Sequence, residues 1–141
     1  MKQLFITVIL AIFGQVACAQ EKNDFKGYLF NKEYLVYLRI NFHDKDVVPR
    51  GQEIFGKLPG YLGSKRDSRL WLITDVNLKK GKEAHLSIIN DYGSEDLEAV
   101  LEKKNDSTYT LKQLGGSAIK IVVDRKWVKL PKVMTFKLND K

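Results

Sequence analysis

Residues 34–42, Tyr-Leu-Val-Tyr-Leu-Arg-Ile-Asn-Phe, place Tyr34, Val36, Leu38, Ile40 and Phe42 at every second position, with Leu35, Tyr37, Arg39 and Asn41 between them. Successive side chains of a β-strand point to opposite faces, so this spacing puts bulky apolar groups on one side and a mixed, partly polar set on the other. The stretch reads as a half-buried strand. Later segments repeat the pattern, and an all-β domain with one covered face follows from the repetition.

The chain opens with Met1-Lys2-Gln3, an apolar run from Leu4 to Phe13, and a segment ending Ala17-Cys18-Ala19. This is the layout of a secretory signal peptide over residues 1–19. The run is about half the roughly 20 residues a membrane-spanning helix needs, and Ala17 and Ala19 form the small-residue pattern at which such leaders are cut. A protein exported to the periplasm or secreted is expected, with a polar, flexible lead at 20–24 and one domain over 25–141. The alternative is a lipoprotein anchored through Cys18, although Gln15 occupies a position where that pattern has an apolar residue. Removing the leader takes away the one Cys and one of the 24 basic residues, which lowers the net charge of +7 by one unit. No thiol chemistry remains, and the domain must hold together through an ordinary core rather than disulfides. Lys and Arg are interleaved with acids along the chain, the distribution of a solvated surface rather than of a nucleic-acid footprint. No segment after the leader is long and apolar enough to form a spanning helix.

Outward from the opening stretch, Phe25 to Phe30 pairs with it as a hairpin across Asn31-Lys32. His43 to Gly51 is a polar loop, Glu53 to Leu58 a short strand closed by Pro59-Gly60, and Tyr61 to Ser68 an irregular basic loop. Over Arg69 to Leu78 the period returns, with Leu70, Leu72, Thr74, Val76 and Leu78 assigned inward and Trp71 and Ile73 outward. Ala84, Leu86 and Ile88 complete a second hairpin across the Lys79 to Lys82 turn. Residues 94–104 suit either a short helix capped by Ser94 or a strand with Leu97, Ala99 and Leu101 on one face; the strand is the preferred reading. Ile119, Ile121 and Val123, then Trp127 to Leu130, then Met134, Phe136 and Leu138 supply the last extended pieces.

Eight or nine short strands separated by turns predict an antiparallel meander closed into a small barrel, with a β-sandwich as the alternative. With Phe25-Lys26-Gly27 opening the first strand, the hairpin ladder, and a length suited to one eight-stranded barrel, the chain resembles the small secreted lipocalin-like barrels of exported bacterial proteins. Phe25 stands near the place of the Trp in the Gly-x-Trp signature of true lipocalins.

Catalytic signals are few. After the leader the chain has no Cys, two His (His43 and His85), and no nucleophile-elbow, phosphate-loop or zinc-protease motif, so a non-enzymatic protein without cofactor or metal is expected. His43-Asp44-Lys45-Asp46 reads as a solvated turn rather than an oxygen-rich metal cluster. Large residues on the second face of a strand must be covered or must meet a partner. Tyr37, Arg39, Trp71 and Trp127 are therefore the candidate partner-binding residues, of the types that carry interface energy. Two functions follow: a binding module for a protein or glycan, or a carrier of a small apolar ligand in the barrel lumen.

The face assignment is testable. Ile40→Asp buries an unpaired charge and is expected to abolish folding, whereas Asn41→Asp is expected to be tolerated; equal thermal melts for the two variants would overturn the assignment.

Overall fold

The computed structural model describes residues 24–51, 53–79 and 82–139; the leader, Cys18 and the lead up to Asn23 lie outside the described residues. The elements are β1 (Lys26–Asn31), β2 (Val36–Asn41), one turn of 3-10 helix (Glu53–Phe55), β3 (Gly60–Ser64), β4 (Asp67–Lys79) and β5 (Glu83–Asn90). They continue with β6 (Asp96–Asn105), β7 (Thr108–Gly116), β8 (Lys120–Val123), β9 (Lys126–Lys129) and β10 (Val133–Asn139). Eight strands form a closed antiparallel barrel in the order β1-β10-β7-β6-β5-β4-β3-β2, and β8 and β9 form a separate two-stranded sheet. Within residues 94–104 the chain is strand from Asp96 onward, as part of β6, and not helix.

An eight-stranded barrel is just wide enough for its inward side chains to fill it. Here Leu38, Leu62, Ile73, Leu86, Leu101 and Phe136 are fully buried inside it, as members of one continuous cluster. Each such side chain contributes about 1.5–3 kcal/mol by leaving water. Both ends are plugged. At one end Phe25 stacks on Phe42 with ring centroids 5.7 Å apart and meets Tyr109 edge-on at 5.4 Å. The Phe25 backbone N–H donates to the Tyr109 hydroxyl at 3.1 Å, and burial holds the Tyr109 phenol above its ordinary pKa. Beside this plug Lys103 pairs with Asp24, and that hydrogen bond raises the Lys103 pKa. Asp24 is thus tied to the barrel, at the end of the segment expected to be a flexible lead.

At the other end the β8–β9 hairpin folds over the mouth. Ile119, Ile121 and Leu130 are buried in the main cluster, with Val123 and Val128 packed against it. Gln113 fixes the hairpin's base: its Oε1 accepts from the Ile119 N–H at 2.8 Å and its Nε2 donates to the Pro131 carbonyl at 3.0 Å. Asp124 and Arg125, both at positive φ, make the tight turn, the geometry that matches the twist of paired strands.

Several expected details are corrected. Along β4 the faces are reversed: Trp71 and Ile73 point into the barrel, while Leu70 and Leu72 belong to a second buried cluster with Tyr61. That cluster lies outside the barrel wall, under the loop from His43 to Pro59. The loop is pinned by reciprocal backbone bonds between Val47 and Leu58, both packed on the cluster. A bulge then shifts the register between Ile73 and Asp75, which returns Val76 to the core and keeps Asp75 exposed in water. Glu53 to Leu58 is not a strand; it holds the 3-10 turn and a single bridge from Leu58 to Val47. Tyr61 to Ser68 is not a loop but contains β3 and the start of β4, its pattern hidden because Gly60 and Gly63 supply no side chain. Ile119 to Val123 and Trp127 to Leu130 form the capping hairpin rather than barrel wall.

Ile40 is 3% exposed, in the core, but Asn41 is not a free surface residue. Its amide donates to the Asp44 carboxylate at 3.1 Å, and its Oδ1 accepts the backbone N–H groups of His43 and Asp44. Asn41→Asp replaces that donor by a second carboxylate and is now expected to cost about 1 kcal/mol, still far less than Ile40→Asp.

Gly60 allows β2 and β3 to approach closely. A Cβ there would overlap the Arg39 carbonyl oxygen and stand 2.8 Å from Ile40 Cγ2. Because a backbone atom cannot swing aside, Gly60→Ala is expected to destabilise the barrel by roughly 2 kcal/mol, read as a lower urea midpoint with unchanged slope.

Candidate functional site

Strand pairing across β10, β1, β2 and β3 lines outward side chains into two lateral rows. One runs Asn139, Tyr28, Arg39, Tyr61; the next runs Lys137, Phe30, Tyr37, Gly63. The first row continues through Leu72 to Ile89, where the His43 to Pro59 loop covers it. The uncovered part forms a groove of about 470 Å3, lined by Tyr28, Phe30, Tyr37, Arg39, Tyr61 and Lys65, with Arg50, Ser64 and Asn139.

The floor of the groove is aromatic. Tyr28 lies nearly parallel to Tyr37, with centroids 5.2 Å apart and 23° between planes, and nearly parallel to Phe30 at 6.4 Å and 13°. Tyr61 meets Tyr37 edge-on at 6.1 Å. Gly63 makes room for the Tyr37 ring in this stack, because a Cβ at that position would come within 2.5 Å of the Tyr37 hydroxyl. Glycine in the strand thereby gives its neighbour's ring a seat.

Cations rest on this floor. The Arg39 guanidinium sits 4.9 Å from the Tyr28 ring centroid. The Lys65 ammonium, from the β3–β4 turn, lies 5.6 Å from Tyr28, 5.9 Å from Phe30 and 5.7 Å from Tyr37. Each cation is attracted to the negative ring face. Among the described residues no Asp or Glu lines the groove, so neither cation has a carboxylate there to neutralise it. Burial, and next the neighbouring Tyr37 phenol, push the Tyr61 pKa up against the lowering pull of Arg39, which keeps Tyr61 a neutral hydroxyl at ordinary pH. The Tyr28 hydroxyl is shut off from solvent with no hydrogen-bond partner among the described residues.

Of the expected partner-binding residues, Tyr37 and Arg39 come together in this groove. Trp71 does not: it is 4% exposed inside the barrel, and its indole N–H donates to the Lys120 carbonyl at 3.0 Å, so it anchors the capping hairpin. Trp127 is 61% exposed on that hairpin, beneath the Arg69 guanidinium at 5.0 Å, and does not line the groove. Sequence reasoning missed Tyr28, Phe30, Tyr61 and Lys65. Tyr28 and Phe30 share the parity opposite Leu29 in the strand paired with Tyr37 and Arg39, which is the signal that points to them. His43 bonds the Asp24 carbonyl through its ring and His85 lies 3.6 Å from Glu83; among the described residues no three His, Cys, Asp or Glu converge as metal ligands.

An unpartnered buried hydroxyl costs free energy that a phenylalanine would not. Tyr28→Phe is expected to raise stability by about 1 kcal/mol, a rise in Tm of roughly 3 °C by calorimetry; a lower Tm would mean that the hydroxyl is satisfied. Compared with protein families, curated proteins and solved structures, the chain matches no family model, no curated protein and no solved structure.

Proposed function

We propose that this protein is an exported, non-catalytic binding module of the lipocalin-like barrel type, which acts on a protein or glycan partner in the bacterial envelope through the outer face of β10, β1, β2 and β3. The observation that carries the reading is the groove's composition: an aromatic floor with Arg39 and Lys65 above it and no carboxylate among its described lining residues. Aromatic and Arg side chains are the types that dominate binding energy, and they are usually surrounded by structure that excludes water. Export is supported by the leader pattern of residues 1–19. The filled interior and the plugs at both ends weigh against a carrier of an apolar ligand, which would need an empty lumen.

The test compares retention of the purified protein on immobilised envelope material with that of the Arg39→Gln/Lys65→Gln variant, both first shown to be folded by circular dichroism. The expected result is retention that weakens about tenfold in the variant and falls as salt rises, since exposed charges are screened. Equal retention of both proteins, or a stoichiometric apolar molecule released from the wild type on extraction, would overturn the groove reading.

A further inference from the structure

Resting on that reading, we infer that the groove takes an acidic glycan, a chain of pyranose rings bearing carboxylates, rather than an acidic peptide. Two features separate these occupants. The first is the near-parallel stacking of Tyr28 with Phe30 and Tyr37, an aromatic ladder whose outer ring faces suit the C–H face of a sugar ring as they suit any planar or disc-shaped group. The second is the set of neutral groups around it. The hydroxyls of Tyr28, Tyr61 and Ser64 and the amide of Asn139 both give and accept hydrogen bonds. A hydroxyl-rich ligand satisfies such groups around each ring, whereas an acidic peptide can donate to them only through its backbone N–H groups, its side chains being acceptors at neutral pH.

The cations then select for charge. In the free protein Arg39 and Lys65 lie over the rings, where their positive charge meets π faces and, among the described residues, no carboxylate of the groove lining. A ligand carboxylate offers a stronger, charge-assisted partner, bidentate for the Arg39 guanidinium. Drawing both side chains off the floor towards the carboxylate uncovers the ring faces for the sugar. It also opens a way to the Tyr28 hydroxyl, which has no partner among the described residues of the free protein. The cations therefore act as a cover that only an anion lifts. A neutral sugar would have to displace them without replacing their attraction.

The experiment is titration of the full protein, followed by NMR and calorimetry, with three probes: a tetramer of galacturonic acid, the corresponding neutral galactose tetramer, and tetraglutamate. The expected result is binding of the uronate with shifts centred on Tyr28, Tyr37 and Tyr61, and binding of the other two at least about tenfold weaker. Tyr28→Phe is expected to weaken the uronate several-fold although it stabilises the free fold, a combination that a merely structural role would not produce. Equal affinity for the neutral tetramer overturns the role of the cations, and equal affinity for tetraglutamate overturns the choice of a sugar; both leave the groove as a binding surface. No shift at the groove with any probe overturns the glycan inference, while the envelope-retention comparison judges the broader reading separately.

Discussion

Closure of the sheet between β1 and β10 is the constraint on which the other features depend. Pairing Tyr28 with Asn139, Leu29 with Leu138 and Phe30 with Lys137 removes the two free edges that an open meander would expose. A closed eight-stranded sheet has a small interior, which apolar side chains fill and which needs a stopper at each mouth. The aromatic group of Phe25, Phe42 and Tyr109 serves one mouth and the hairpin held by Gln113 and Trp71 serves the other. The same seam runs beneath the groove, because Tyr28 and Asn139 are partners across it.

With the core inside, large outward residues must be dealt with separately, and the molecule treats them in two ways. From Tyr61 towards Ile89 the outer face is roofed by the Val47 to Leu58 segment. From Tyr61 back towards Asn139 it is lined by the long cationic side chains of Arg39, Lys65 and Arg50. A patch of three half-buried rings, Tyr28, Phe30 and Tyr37, would otherwise invite self-association, and a charged cover keeps it wetted. One row of outward residues is thus roofed by chain in one half and shielded by cationic side chains in the other.

How much of this was legible in the sequence depends on whether a strand has one apolar face or two. In β2 the outward positions are Tyr37 and Arg39 against inward Val36, Leu38 and Ile40, and the faces were read correctly. In β4 both parities are apolar, because Leu70 and Leu72 are covered by the loop while Trp71 and Ile73 fill the barrel. Periodicity cannot choose between two apolar sets, and the bulge at Thr74 switches the parity halfway. The result placed Trp71 on the wrong side. Strand β3 was hidden for the opposite reason: Gly60 and Gly63 leave only Tyr61 and Leu62 to carry a pattern. The groove needed pairing register as well as parity, since it is assembled from four strands, and register between distant strands is not written in local spacing.

The seam also sets an order of events for the chain. Asn31 donates to the carbonyl of Thr135, a contact spanning 104 residues, and little of β1 on its outer side can be satisfied before β10 arrives. Contacts of such sequence separation form late, because the entropy of closing the intervening chain precedes any gain from them. Until then β1 waits with Tyr28, Leu29 and Phe30 along an open edge, the kind of template to which a second chain can add. The final strand is therefore more than the last piece of wall: its arrival ends the interval in which this protein is vulnerable to its own neighbours.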